Sequence, residues 1–270
     1  MKSEPNHIAI VTGANHGIGA ATAERIASRG ITVVVTYLRR RVTSDPATPE
    51  RYQENRMKPG DEVVERITSA GGRAIAIEAD LLDAATPTML FDRAEAAFGP
   101  VDILINNATG WASGDSFAAG GADVAGRATP EVTAELFDRT FGVDARAGAL
   151  MIAEFARRLI GRDGNWGRII GLTSGGPDGF PSEVTYGAAK MALVNYTMAA
   201  ATELGRRGVT ANMIHPPITD SGWVNDDIRQ FAASSTEHFH VAEPSDVAGV
   251  IAWLCTDEAR MVTGNVIRMR

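Results

Sequence analysis

Tyr186 and Lys190 stand four residues apart in the run Tyr-Gly-Ala-Ala-Lys. On a helix this spacing puts both side chains on one face, a phenol beside an ammonium. A nearby cation favours the phenolate, so a tyrosine whose ordinary pKa is about 10 is expected to exchange protons nearer neutrality. The pair has the chemistry of a general acid/base, Tyr186, with Lys190 as its electrostatic partner. Alone the spacing is a weak signal, because Tyr is a common half-buried helix residue and Lys a common surface one. The rest of the chain has to supply the context.

That context begins with the apolar run Ile8-Ala9-Ile10-Val11, which leads into Thr12-Gly13-Ala14-Asn15-His16-Gly17-Ile18-Gly19 and then a helical pattern stopped by Gly30. A buried strand, a glycine-rich turn and a helix together bring backbone N–H groups and a helix N-terminus to an anionic ligand. A second β-branched strand, Ile31–Tyr37, is followed by Arg39-Arg40-Arg41 with no carboxylate. Arginine there accommodates a 2′-phosphate, whereas an acidic residue would bind a ribose hydroxyl, so the charges favour NADP(H) over NAD(H). Residues 42–60 read as a polar, proline-punctuated loop. A helix over Glu62–Ala70, a strand over Ala74–Ile77 leading to Asp80-Leu81, a helix over 84–98 and a strand over Val101–Ile105 follow, ending in Asn106-Asn107-Ala108-Thr109.

Residues 110–129 are glycine-rich and read as a loop bordering a pocket. A long helical pattern runs from Pro130 to about Ile160, and a strand over Trp166–Ser174 precedes the Tyr186 helix. A sixth strand, Val209–Ile214, opens into residues 218–243, a polar stretch with Trp223, Phe231 and Phe239 that reads as a substrate lid. A helix over Ser245–Cys255 and a strand over Asn265–Met269 complete the pattern. Strands alternating with helices predict an α/β fold, a single doubly wound domain over 1–270 with one parallel sheet covered on both faces.

With 270 residues and 44% hydrophobic composition the chain can bury a sizeable core. A net charge of -7 argues against a nucleic-acid partner. No apolar run approaches the roughly 20 residues of a membrane span, and Met1-Lys2-Ser3-Glu4-Pro5 has no apolar signal core, so a cytoplasmic location is expected. The single cysteine, Cys255, sits in an apolar helical pattern and reads as a buried structural thiol. His238 and His240 lack a carboxylate or cysteine cluster, and no metal site is expected.

In this order and at these separations, the Thr12–Gly19 turn, Asn106-Asn107-Ala108, Ser174 and Tyr186–Lys190 make the chain resemble the short-chain dehydrogenase/reductase family, in its 3-oxoacyl-reductase-like form. The resemblance covers almost the whole length and implies a three-layer Rossmann-like fold and an NAD(P)-dependent enzyme acting on a small carbonyl or alcohol substrate. It also implies homotetramers or homodimers built through the helices at 130–160 and 186–206. It casts Tyr186 as the proton donor to a carbonyl, Lys190 as the residue holding the nicotinamide ribose, and Ser174 as the group polarising the substrate oxygen. Gly13, Asn15, Gly17, Ile18 and Gly19 fall to the phosphate turn. His16 stands where many NADP-preferring relatives have a cation. Asp80 and Leu81 fall to the adenine, Asn106 and Ala108 to the adenosine side, and Ile218 and Ser221 to the nicotinamide carboxamide and neighbouring phosphate.

Three positions depart from the family pattern. Thr109 replaces a glycine, Pro217 another, and Asp144 stands where the family has the asparagine of a proton relay. Asp144 is expected to put a negative charge near Lys190 and offset its effect on Tyr186. The leading expectation is an NADPH-dependent reductase of a 3-oxoacyl thioester or a secondary-metabolite ketone. The alternatives are an NAD-dependent alcohol dehydrogenase using the same residues and a non-catalytic dinucleotide sensor.

Overall fold

The computed structural model describes residues 7–40, 45–176 and 178–270; residues 1–6, 41–44 and 177, Arg41 of the basic run among them, lie outside the described residues. The first apolar run forms β1 (Ile8–Val11), and the glycine turn after it opens α1 (Gly17–Ala27). The chain continues through β2 (Thr32–Tyr37), α2 (Glu50–Met57), α3 (Asp61–Ser69), β3 (Ala74–Glu78), α4 (Thr86–Phe98) and β4 (Ile103–Asn106). Next, α5 (Ala134–Phe141) passes through a π-helical turn, Gly142–Ala147, into α6 (Gly148–Gly161). The remainder is β5 (Gly167–Leu172), α7 (Val184–Leu204), β6 (Val209–His215), α8 (Asp226–Ser234), α9 (Pro244–Leu254) and β7 (Asn265–Arg268).

All seven strands are parallel, in the order β3-β2-β1-β4-β5-β6-β7. Side chains alternate across the sheet, as the two-residue period of a strand requires. Ala9, Val11, Val33, Val35, Ile103 and Ile105 face α1, α3 and α9, while Ile8, Ile10, Val34 and Leu104 face α4, α6 and α7. Burial on both faces explains why the strands read as continuous apolar runs. The chain turns outward from β1 to β2 on one side and crosses to β4 on the other. A crevice therefore opens beyond the carboxyl ends of β1 and β4, where such sheets bind ligands.

Local chemistry sets several ends. The Thr133 side chain accepts from Leu136 N at the start of α5, and Glu243 and Asp246 form a reciprocal capping box on α9. Cys255 is buried at the end of α9, where loss of water pushes its thiol up to about 12, as an inert structural thiol requires.

Three expectations change. The segment 42–60 is not a loop throughout, because its residues 50–57 form α2. The helix hid from the pattern because Tyr52 is its one buried residue, leaving no apolar stripe to detect. The long helix expected from Pro130 begins at Ala134 and changes its hydrogen-bond pattern at 142–147. The stretch 218–243 contains α8, anchored by Ile228 against Val224 and Ala125.

Phe155 on α6 is 1% exposed and fills the space over Gly167 of β5. Phe155→Ala is expected to lower stability by about 3–5 kcal/mol, read as a fall in the urea midpoint at unchanged slope.

Candidate active site

The turn after β1 is laced to the end of β4. Thr12 Oγ1 accepts from Asn107 N and Ala108 N, both at 3.0 Å, and Asn107 Nδ2 donates to Thr12 O at 2.8 Å and Gly13 O at 2.9 Å. Glycine is required here for space. A Cβ on Gly19 would lie 2.3 Å from Gly13 O, and one on Gly13, at a φ of 63°, would lie 2.8 Å from Ala108 Cα. The tight turn leaves the N-terminus of α1 open to a cavity of about 800 Å³ in the crevice. Gly13, Asn15, His16, Gly17, Ile18 and Gly19 all line it. Ala108 lines it too, but Asn106 does not: its Nδ2 points behind the cavity to Gly148 O at 3.4 Å. Asn107, which sequence reasoning did not assign, takes the place at the wall.

At the other end of the cavity, β5 runs out into Thr173 and Ser174, and α7 presents Tyr186 and Lys190 one turn apart. Asp144 enters from the π-helical turn. Its Oδ1 lies 2.8 Å from Lys190 Nζ, with both side chains almost wholly buried. Its Oδ2 accepts from Gly110 N at 2.7 Å and Thr109 Oγ1 at 3.2 Å. The threonine that departs from the family pattern is thus bonded to the aspartate that does.

These contacts reverse one expectation. Lys190 Nζ is 5.5 Å from the Tyr186 ring centroid, yet its charge is matched by Asp144. Loss of water, followed by the charges of Asp144 and Glu183 and by Tyr52, holds the phenol well above its usual value. A hydrogen bond with Thr109 acts the other way and is the weaker influence. Tyr186 is therefore a protonated phenol here, not one drawn toward neutrality by its lysine. Ser174 is half-buried on the cavity wall beside Thr173, whose Oγ1 is buried with no partner.

Asp80, Leu81, Ile218 and Ser221 line the cavity, and so does Arg40. Arg39 does not. It turns to the sheet edge, where its Nη2 donates to Glu78 Oε2 at 2.7 Å across the β2–β3 register. The carboxylate absent from the end of β2 is supplied by β3. His16 is neutral: burial, with the charges of Arg56 and Lys58, lowers it to about 4.

Around Tyr186 the walls are aromatic: Tyr52, Trp111, Phe180, Trp223 and Phe231. Glu183, the residue before α7, accepts from Trp111 Nε1 at 2.7 Å and Arg127 Nη2 at 3.0 Å. Burial, partly offset by Arg127, raises its carboxyl to about 7. Arg127 also pairs with Asp123 and lies over the Trp111 and Trp223 rings at 4.9 and 5.7 Å. Of these, only Trp223 and Phe231 stand out in the sequence, as aromatics of the expected lid. Among the described residues no group of three His, Cys, Asp or Glu could hold a metal.

A family model described as enoyl-(acyl carrier protein) reductase matches residues 13–269. The chain is 33% identical over 272 residues to the oxidoreductase YjdA of Bacillus subtilis (strain 168), covering 99% of this chain and 96% of that protein. It is 30% identical over 284 residues to the hydroxynaphthalene reductase-like protein Arp2 of Metarhizium brunneum (strain ARSEF 3297), covering 98% of this chain and 94% of the relative. Among solved structures, the angucycline C-6 ketoreductase LanV with bound NADP matches with a TM-score of 0.75 at 32% identity, over 97% of this chain and 93% of the other.

Asp144→Asn removes a negative charge that opposes the phenolate, so the Tyr186 titration midpoint is expected to fall. Ultraviolet difference titration against Tyr186→Phe reads it, and turnover is expected to be kept or raised. An unchanged midpoint would show that the carboxylate does not act on the phenol.

Proposed function

The chain belongs to the short-chain dehydrogenase/reductase family of oxidoreductases, and we propose that it is an NADP(H)-dependent reductase of a ketone in which Tyr186 protonates the carbonyl oxygen. Ketone reductases and a member with bound NADP are among the proteins it is similar to. The observation that carries the reading is geometric: Ser174, Tyr186 and Lys190 line one cavity, with the Tyr186 phenol held in its protonated form by burial. A proton donor has to begin as the acid, whereas oxidation of an alcohol needs the phenolate.

The residues fit a dinucleotide. The turn at Gly13, Gly17 and Gly19 admits no Cβ without a clash under 3 Å, so the backbone can approach a ligand closely. Gly13 to Gly19 would hold its phosphates, Asp80, Leu81 and Ala108 its adenosine, and Ile218 and Ser221 its nicotinamide end. A bound nicotinamide dinucleotide supplies the hydride. Ser174 donates a hydrogen bond to the carbonyl oxygen, where negative charge develops, and Tyr186 passes its proton to the same atom. Lys190 stands beside the phenolate that remains, with Asp144 and Thr109 fixing its surroundings.

The aromatic walls favour a flat ring ketone over a 3-oxoacyl thioester. The cation beside them, Arg127, is already matched by Asp123 and Glu183 and offers no free charge to an anionic carrier. Arg40 lines the cavity at the β2 end, which supports a 2′-phosphate contact there. A second reading, NAD(H)-dependent oxidation of an alcohol, draws on one observation: Arg39 is held by Glu78, leaving a carboxylate at the β2 end. On α5 the exposed Phe137 stacks on Phe141 at 4.2 Å, and on α7 Met191 and Tyr196 are exposed. These exposed apolar side chains, on two neighbouring helices, support association through them into a homodimer or homotetramer, with a monomer by light scattering as the contrary result. No described helix is long and apolar enough to cross a membrane.

Tyr186→Phe is expected to lower kcat for reduction of a bicyclic aromatic ketone by about 10²–10⁴-fold while NADPH still binds. Arg40→Ala is expected to weaken NADPH more than NADH in calorimetric titrations at one low salt concentration. Equal affinities in the parent enzyme would move the NAD(H) reading ahead.

A further inference from the structure

The segment from Asp45 to Gly60 contains one residue of α2 that packs as core, Tyr52. A helix of eight residues with so little apolar surface has no reason to be ordered by itself. Its order comes from tethers. Asn15 Nδ2 donates to Arg56 O at 3.2 Å and Lys58 O at 2.9 Å, joining it to the glycine turn. Arg56 Nη1 donates to Trp111 O at 3.1 Å, and Asp45 Oδ2 accepts from Ala128 N at 2.8 Å, joining it to the 110–129 loop. Asn55 Nδ2 donates to Ser221 O at 3.1 Å, Asn225 Nδ2 donates to Ala47 O at 3.2 Å, and Arg51 pairs with Asp220, joining it to 218–243. All three partners border the cavity, and the segment spans its mouth like a strap.

Beneath the strap lie cations without carboxylate partners. Arg56 of α2, Arg40 after β2 and Arg139 of α5 line the cavity, and no described acidic residue forms an ion pair with any of them. They are close enough to act on one another: burial, then Arg40 and Arg56, lowers the Arg139 guanidinium, outweighing the opposite pull of nearby Asp80 and Glu135. Arg56 and Lys58 likewise act on His16 at the entrance to α1, whose Nδ1 is buried with no partner. Like charges drawn together in a cavity are unfavourable until an anion lies between them.

We propose that the 45–60 strap is a clamp that closes over a phosphate of the dinucleotide, with Arg56 reaching it from above and Arg40 and Arg139 from the sheet side. The inference rests on the dinucleotide reading and adds Arg56 and Arg139 to the cofactor's ligands. Binding at this site adds to the tethers that hold the strap, and the strap in turn slows the cofactor's escape. The strap also carries Tyr52 to the aromatic walls, where its ring lies 6.1 Å from that of Trp111. Closing on the cofactor therefore finishes the substrate site.

The test is amide hydrogen exchange across 45–60 in the full chain, alone and with NADPH, NADH, adenosine 2′,5′-bisphosphate or inorganic phosphate, beside calorimetric affinities. NADPH is expected to slow exchange in 50–57, and Arg56→Ala to weaken NADPH about tenfold or more, the effect of losing a charge-assisted hydrogen bond. Asn55→Ala keeps the charges but loosens the tether, and is expected to speed exchange across 45–60 in the free protein. Protection by NADPH and the bisphosphate but not NADH assigns Arg56 to the 2′-phosphate. Protection by both dinucleotides assigns it to the pyrophosphate, and protection by inorganic phosphate alone overturns the clamp. An Arg56→Ala protein with parental circular dichroism and parental NADPH affinity also overturns it, as does strap exchange indifferent to NADPH. If neither dinucleotide binds the parent protein, the cofactor reading falls and the clamp with it; if NADPH binds and the strap does not respond, only the clamp falls.

Discussion

The ion pair between Lys190 and Asp144 is the contact on which the rest of the site depends. Two opposite charges stand 2.8 Å apart with 2% and 0% of their side chains exposed. Removing one partner from such a pair leaves an uncompensated buried charge, a far larger penalty than the net value of the pair. The arrangement therefore has to be held from every side. α7 supplies the lysine, the π-helical turn the aspartate, and the end of β4 the donors that occupy its second oxygen. A π turn widens the helix by one residue in its hydrogen-bond step, and such turns recur at functional sites. Here it marks the place where the α5–α6 helix gives up regularity to deliver a carboxylate.

How legible all this is from sequence depends on how local the determinant is. The Tyr186–Lys190 pairing rests on helical period alone and was readable, as were the glycine turn and the alternation of strands and helices. The state of Tyr186 is only partly readable. It is set first by burial, which no spacing encodes, then by Asp144, whose opposing charge the motif position does suggest, and by Glu183, which arrives only with the fold. Arg39 illustrates the same limit. Its neighbours in sequence are cationic or apolar, and its carboxylate partner Glu78 arrives only through the pairing of β2 with β3. Asn106 and Asn107 differ by one residue, so they face opposite ways at the end of a strand, and only the fold shows that Asn107 is the one lining the cavity.

Helix α2 escaped notice for a different reason. Hydrophobic periodicity detects helices that bury a stripe, and this one buries a single tyrosine and is otherwise held by polar contacts to three loops. Tertiary contacts decide the structure of such a segment, and they become visible only with the fold. The aromatic walls were hidden likewise: Trp111, Tyr52 and Phe180 come from three separated stretches, and only the crevice between β1 and β4 gathers them.

That crevice has a bearing on how the molecule is made. The central ladder joins Ala9 to Ile103, Ile10 to Leu104 and Val11 to Ile105, so the two halves of the sheet meet through partners far apart in the chain. β1 can find β2 early in synthesis, but its other edge stays open until β4 has left the ribosome. Such non-local pairing is intrinsically slow, and an apolar strand edge left waiting is exposed to wrong partners. The geometry that creates a ligand cleft in the finished protein thus leaves the nascent chain with its longest period of vulnerability at that same seam.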